Sequence, residues 1–310
     1  MARTTPMRAM PNRPNSNRRP RWRRRLIVLT VIAALLAVAG YTGYTVYHHY
    51  IVKLLTVPGC QAGTGNSAIP LDFGQASDAA TIAGVAVREQ LPQQALTIAY
   101  ATALQEAKLE NPSYGDLDSV GIFQQRPSQG WGSTTQLEDP AYAAAAFFGV
   151  LVKVPNYTSI PVYQAAQDVQ RSADGSAYQQ YAQTGATLAA DFTAVPHAVT
   201  CWYDPATQAS NLGVSPKLNL KAATSGLTDA FGAPGASGTV RAVATARSGE
   251  SASFDVAAGA GWPVANWLVA SAGNYGITQV SYDGYQWTAG LTETSWQPDP
   301  SAAARSILAS

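Results

Sequence analysis

Glu106 is the residue best placed to do chemistry, because it closes a stretch whose other side chains are almost all apolar. Leu96, Ala99, Tyr100, Ala103 and Glu106 recur at helical spacing, while Ile98, Thr102 and Leu109 on neighbouring positions make the segment apolar nearly all round. Such a helix is buried. A carboxylate on it is partly desolvated, which favours its protonated form and suits it to act as a general acid. Lys108, two residues on, lies off that face and offers no evident counter-charge. A turn-rich segment comes next with Asn111, Pro112, Tyr114, Gly115, Asp116 and Asp118, and then Ser119, Gly121, Gln124, Gln125 and Trp131.

The run from Ala103 to Gly132, ALQEAKLENPSYGDLDSVGIFQQRPSQGWG, resembles the lysozyme-like superfamily of soluble lytic transglycosylases and goose-type lysozymes. Their motif is a glutamate closing a helix and then S-x-G-L-x-Q, matched here by Ser119, Gly121, Ile122 in place of leucine, and Gln124. The run is most similar to a secreted actinobacterial subgroup with the pattern A-L-Q-E-(A/S)-K-L-x-N-x-x-Y-G-D-x-D-S-x-G-x-F-Q-Q-R-P-S-Q-G-W-G. The stretch from Ala165 to Ser172 also fits that subgroup, as A-A-Q-x-V-Q-R-S. The resemblance covers roughly residues 72 to 195. It implies a small helical domain whose cleft binds the glycan strand of peptidoglycan and cleaves the bond between N-acetylmuramic acid and N-acetylglucosamine, without a cofactor.

On that resemblance Glu106 protonates the leaving oxygen, Ser119 bonds the acid, and Gln124 lies in the cleft. Gly121, Gln125 and Asp116 join it as substrate-binding positions. Tyr114 and Trp131 offer rings on which the C–H faces of sugars stack, although both also suit a core, and Ser119 and Gln124 also suit plain loop capping. In a lytic transglycosylase the same glutamate then takes a proton from the muramyl 6-hydroxyl, and no second carboxylate is needed. An inverting hydrolase instead needs a base about 6.5 to 9.5 Å from the acid. Asp116 and Asp118 are the candidates, and Asp118 is placed with Glu106 and Ser119 among the catalytic residues. A non-catalytic cell-wall-binding protein within an envelope or secretion assembly is the rival from another class; it would have a broken acid, and Glu106 is intact.

Composition bounds the rest. The formal net charge of +1 hides a split. Nine of the twenty basic residues precede Leu26, leaving eleven basic against nineteen acidic residues, a net of −8, in the remainder of the chain. A body so charged is a poor nucleic-acid binder. Residues 26–47 contain no charged side chain and match the roughly 20 residues that span a bilayer. With the basic tail of residues 1–25 retained in the cytoplasm, the body lies outside. Ala37-Val38-Ala39 also resembles a signal-peptidase site, and cleavage there would release the same body. Cys60 and Cys201 would then lie where disulfides persist, bracketing the domain. A thiol site built on Cys201 and His197 competes with that bridge. Metal binding is not expected: Asp116 to Ser119 begins like a calcium loop, but Val120 and Pro127 stand where ligands are needed.

The expected architecture is mainly α. A stalk covers residues 48–71 and the helical domain residues 72–203, with a helix starting near Phe73, a second ending at Glu106, a third opening at Asp139-Pro140, and two more over 160–172 and 176–192. The Gly-, Pro- and Ser-rich stretch 204–238 reads as a linker. Residues 239–297 read as a small α/β accessory module, β-β-α-β-β, in which Asp283-Gly284 forms a hairpin turn. Residues 298–310 read as a tail. Trp262, Trp267 and Trp287 suit that module's core.

Overall fold

The computed structural model describes residues 21–47, 57–171, 175–205, 217–232, 240–243, 251–291 and 295–310. The expectations for residues 1–20 and for residues 48–56 of the stalk fall outside these; the rest of the stretch read as stalk is corrected, since it supplies two paired strands of the folded body and the buried Cys60. The chain divides into two units, residues 1–55 and 56–310. The first contains helix α1 (Arg21–Val46), whose segment Arg25–Val46 is long and apolar enough to cross a membrane. Its leucines, isoleucines and valines are exposed.

The second unit is mainly helical with two small sheets. It opens with strands β1 (Gly59–Ala62) and β2 (Ile69–Leu71), and Asp72 then starts α2 (Phe73–Arg88) through a reciprocal capping box with Gln75. Helix α3 (Gln93–Ala107) is buried through nine consecutive residues, Ala95 to Ala103. It ends on two non-glycine residues in the left-handed region, Lys108 (φ 57°) and the fully buried Leu109 (φ 61°). Gln75 fixes that end from α2 by donating to the Lys108 carbonyl at 2.9 Å.

A short α4 (Thr134–Leu137) precedes α5 (Pro140–Leu151), which starts as expected with Asp139 accepting from the Ala141 amide and proline in the first turn. Then come α6 (Val162–Gln170), a 3-10 stretch at Gly175–Tyr181, and α7 (Ala182–Thr193). Helix α7 lies along α3 at Gly185, where a Cβ would stand 2.7 Å from the Thr97 carbonyl oxygen. Strand β3 (Val199–Trp202) returns to pair with β1, giving the order β2-β1-β3, all antiparallel. Cys60 stands opposite Cys201 in this ladder and is bonded to it. The thiol reading of Cys201 is thereby excluded, and His197 sits against the rings of Trp262 and Tyr285.

Two expectations for the remainder are corrected. The stretch read as a linker contains helix α8 (Leu220–Phe231), which packs on α2 with Ala223, Leu227, Ala230 and Phe231 buried. Small residues, Ala, Ser, Thr and Gly, make up much of it, so it looked like linker sequence although it packs closely. The tail supplies strand β9 (Ser306–Ala309), which lies inside the second sheet. That sheet runs β4-β5-β9-β6-β7-β8, all antiparallel, from β4 (Val240–Val243), β5 (Ala252–Val256), β6 (Gln279–Tyr282), β7 (Tyr285–Thr288) and β8 (Gln297–Pro298). The β6–β7 hairpin turns at Asp283-Gly284, both with positive φ.

Helix α9 (Gly261–Ala270) packs on this sheet at β6 and β9 and on α2, and the short α10 (Ala272–Tyr275) lies against α9 and α8. The module is therefore fused to the helical half. The Trp287 indole donates to the Cys201 carbonyl, that of Trp296 to Val199, and that of Trp267 to Thr81. All three rings are buried.

Between α2, the start of α5, α8 and α9 lies a hollow of about 320 Å³ lined by Asp78, Asp139 and Asp229 with Asn111, Trp267 and Tyr275. Burial, then the charge of Asp72, raises the Asp78 carboxyl from the ordinary 3.8 to about 7. Below the lower value both states hold the proton. As pH rises from about 4 to 7 the unfolded chain loses it while the folded chain keeps it, so this group's contribution falls, and above 7 the full penalty is present. Asp78→Asn is expected to stabilise the protein by on the order of 2 kcal/mol at pH 7.5 and little at pH 4; melting curves of both proteins at the two pH values check this. The disulfide closes a sequence separation of 141 residues. Replacing both cysteines by serine is expected to cost up to about 5 kcal/mol and to lower the melting temperature by about 10 °C.

Candidate active-site groove

Burial of α3 ends at Ala103, and its last turn emerges half-buried with Glu106 on the wall of a groove. The groove encloses about 680 Å³ and is also lined by Asp116, Ser119, Gln124, Gln125, Trp131 and Gln170, with Gln105, Arg126, Gln129 and Arg171 completing it. Six of the residues singled out from sequence thus come together. Tyr114, Asp118 and Gly121 do not line it, and Tyr114 is 79% exposed.

The opposite wall is a loop pinned at its apolar positions. Ile122 and Phe123 are fully buried, and Phe123 stacks on Phe147 of α5 with ring centroids 4.6 Å apart. A single antiparallel bridge joins Val120 to Gln125. Gly121 makes the turn with φ 78°, its amide donating to the Pro112 carbonyl at 2.8 Å. A Cβ there would collide with the Leu137 carbonyl oxygen. Gly121 is thus an architectural position and makes no lining contact.

Ser119 does not bond the acid. Its hydroxyl faces the Asp116 carbonyl at 2.7 Å and Gln124 Oε1 at 3.1 Å, and Gln124 Nε2 donates to the Gly121 carbonyl. The serine and glutamine of the motif therefore brace each other across the loop. Gln125 is 2% exposed and donates to the Ala143 carbonyl. Asp118 is occupied as well: Oδ1 accepts from Arg126 Nε at 2.7 Å and from the Ser128 hydroxyl, and Oδ2 accepts from the Ser128 amide at 2.8 Å. The Arg126 guanidinium and then these Ser128 bonds hold the Asp118 carboxyl well below the usual carboxylate range. A group held ionised and turned to its own loop is a poor base for the groove, and the expected catalytic role of Asp118 is withdrawn. Asp116 remains, lining the groove with its side chain unpartnered among the described residues.

Two groups that hold the acid had no assigned role from sequence. Tyr178 Oη, in the 3-10 stretch after α6, donates to Glu106 Oε1 at 2.6 Å. Gln170 Nε2, at the end of α6, donates to the same oxygen at 3.3 Å and to the Phe123 carbonyl at 2.8 Å. Both donors fall on one oxygen, and Oε2 has no hydrogen-bond partner among the described residues. Gln170 lay in a stretch that resembled the subgroup pattern, but Tyr178 had no local signal. Lys108 turns away from the acid to the Tyr181 hydroxyl, its ammonium 4.5 Å from that ring's centre.

The chain matches no family model, and no curated protein matches it significantly. Gly121→Ala is expected to cost about 3 kcal/mol, since left-handed strain adds to a backbone collision; a chemical-denaturation midpoint unchanged from the parent would show that the loop tolerates a side chain.

Proposed function

We propose that the protein is a lysozyme-like enzyme that cleaves the glycan strand of peptidoglycan, acting as a lytic transglycosylase with Glu106 as acid and base. The observation that carries this reading is a single half-buried carboxylic acid in an open groove, with two hydrogen-bond donors on one of its oxygens. Because Tyr178 and Gln170 occupy Oε1, Oε2 is the oxygen that carries the proton and faces the glycosidic oxygen. As the bond to the leaving sugar breaks, the proton passes from Oε2 to that oxygen, and the two donors stabilise the carboxylate left behind. The same Oε2 then takes the proton of the muramyl 6-hydroxyl as that oxygen closes on the anomeric carbon. Trp131, half-buried on the groove wall, supplies a face for a sugar ring. An apolar helix at the N-terminus and a disulfide in the body suit a tethered, extracytoplasmic enzyme.

Asp116 supports a second reading. It is the described carboxylate besides Glu106 that lines the groove, so an inverting muramidase would use it to activate water. Mass spectrometry of muropeptides released from sacculi by the full-length chain separates the two, since anhydro and reducing termini differ by one water. Under the transglycosylase reading the products are anhydro and Asp116→Asn retains most activity. Glu106→Gln loses roughly 10²- to 10⁴-fold under either reading, and undiminished cleavage by that variant would overturn both.

A further inference from the structure

The groove does not end at Trp131. Beyond it a second hollow of about 490 Å³ is lined by Val150 and Val169 and shares Gln129, Trp131, Gln170 and Arg171 with the first. Arg171 therefore stands where the two hollows meet, next in sequence to the glutamine that holds Glu106. The charged residues lining the two spaces are Glu106, Asp116, Arg126 and Arg171. Arg126 is engaged by Asp118. Arg171 is exposed, and its guanidinium has no hydrogen bond or ion pair among the described residues.

Arg171 ends α6 in the left-handed region (φ 53°), its amide donating to the Gln167 carbonyl at 2.7 Å. Glycine is the residue that takes this position without steric strain, and asparagine the next. An arginine held there has its Cα fixed by the helix end and by the Gln170 anchor, with its guanidinium left to the groove. The chain after Leu26 carries a net of −8, so an anionic polymer approaching it meets a repulsive field, and one unpaired guanidinium at the junction offsets that locally.

We infer that Arg171 binds a carboxylate carried by the strand in the groove, so that the protein selects glycan whose muramyl units bear an anionic substituent over neutral amino-sugar polymer. The planar fork of donors matches a carboxylate bidentately, as an ammonium would not. In peptidoglycan that carboxylate has two sources: the free lactyl group of a peptide-free strand, or an acid of the stem peptide. The inference rests on the proposed glycan cleavage and adds to it a choice among glycans.

The test is binding by the full-length chain with Glu106→Gln, which blocks turnover. It is titrated with an N-acetylglucosamine hexamer, with peptide-free strands and with peptide-bearing strands. Adding Arg171→Asn, which suits the left-handed backbone, is expected to lower the affinity for the carboxylate-bearing strand relative to the neutral hexamer by about tenfold. Arg171→Lys is expected to recover only part of that ratio. The strand type whose ratio falls identifies the source of the carboxylate. An unchanged ratio, or an equal loss on all three ligands, overturns the role of Arg171 while leaving glycan binding intact. Failure of the Glu106→Gln chain to bind any of the three would overturn the glycan reading and this inference together.

Discussion

The structure turns on the burial of one helix. Nine successive residues of α3 have no exposed face, so neighbours must cover it on every side, and the site exists only where that cover stops. Helix α7 approaches so closely that Gly185 leaves no room for a Cβ. Gln75 of α2 takes the carbonyl of Lys108, and Leu109, buried in an unfavourable backbone region, fixes the exit. Glu106 thereby projects from the last turn of an element that has no freedom to tilt. A carboxylate on a loop would have to be ordered by its ligand; this one is ordered by the core.

The C-terminal half extends the same core. With β9 in the interior of the six-stranded sheet, the last residues of the chain complete it, and indole donors reach from it to carbonyls of β3 and to Thr81 of α2. Burying a tryptophan requires a partner for its N–H, and here the partners lie across the boundary that composition suggested. Strand β3 is held on one side by the disulfide to β1 and on the other by Trp287 and Trp296. It therefore couples the small sheet, the helices and the large sheet. The groove is open on α3, α6 and the loop, and the C-terminal half contributes no lining residue to it among those described.

Local chemistry was legible and distant pairing was not. Asp139 with Pro140 and Asp283 with Gly284 are short-range signals whose meaning is fixed by backbone geometry, and each marks the element it suggested. Helix α8 was misread because small residues pack closely yet look like linker in composition. Strand β9 was misread because Ser-Ile-Leu-Ala is too short to show a period, and its place is set by neighbours 27 and more positions away, such as Val280. In the groove, Glu106 was visible from helical spacing and most of the loop from the resemblance. Tyr178 was not, because it meets Glu106 across 72 residues of sequence, and no local pattern of residues marks such a contact.

The loop also separates two things that a motif can mean. Ser119 and Gln124 match the lysozyme-like pattern, yet their side chains satisfy each other and the loop carbonyls. Asp118, an acid three residues from Gly121, spends both oxygens on Arg126 and Ser128. Ser119 and Gln124 line the wall, Asp118 ties its own loop together without lining the groove, and Glu106 stands on a different element. Agreement of letters at fixed spacing therefore testifies to the shape of the loop more strongly than to the role of each side chain. The polar groups that the shape leaves uncommitted are Oε2 of Glu106, the carboxylate of Asp116 and the guanidinium of Arg171. Each lies along one groove, and a polymer with a bond to cleave and charges to place would meet all three.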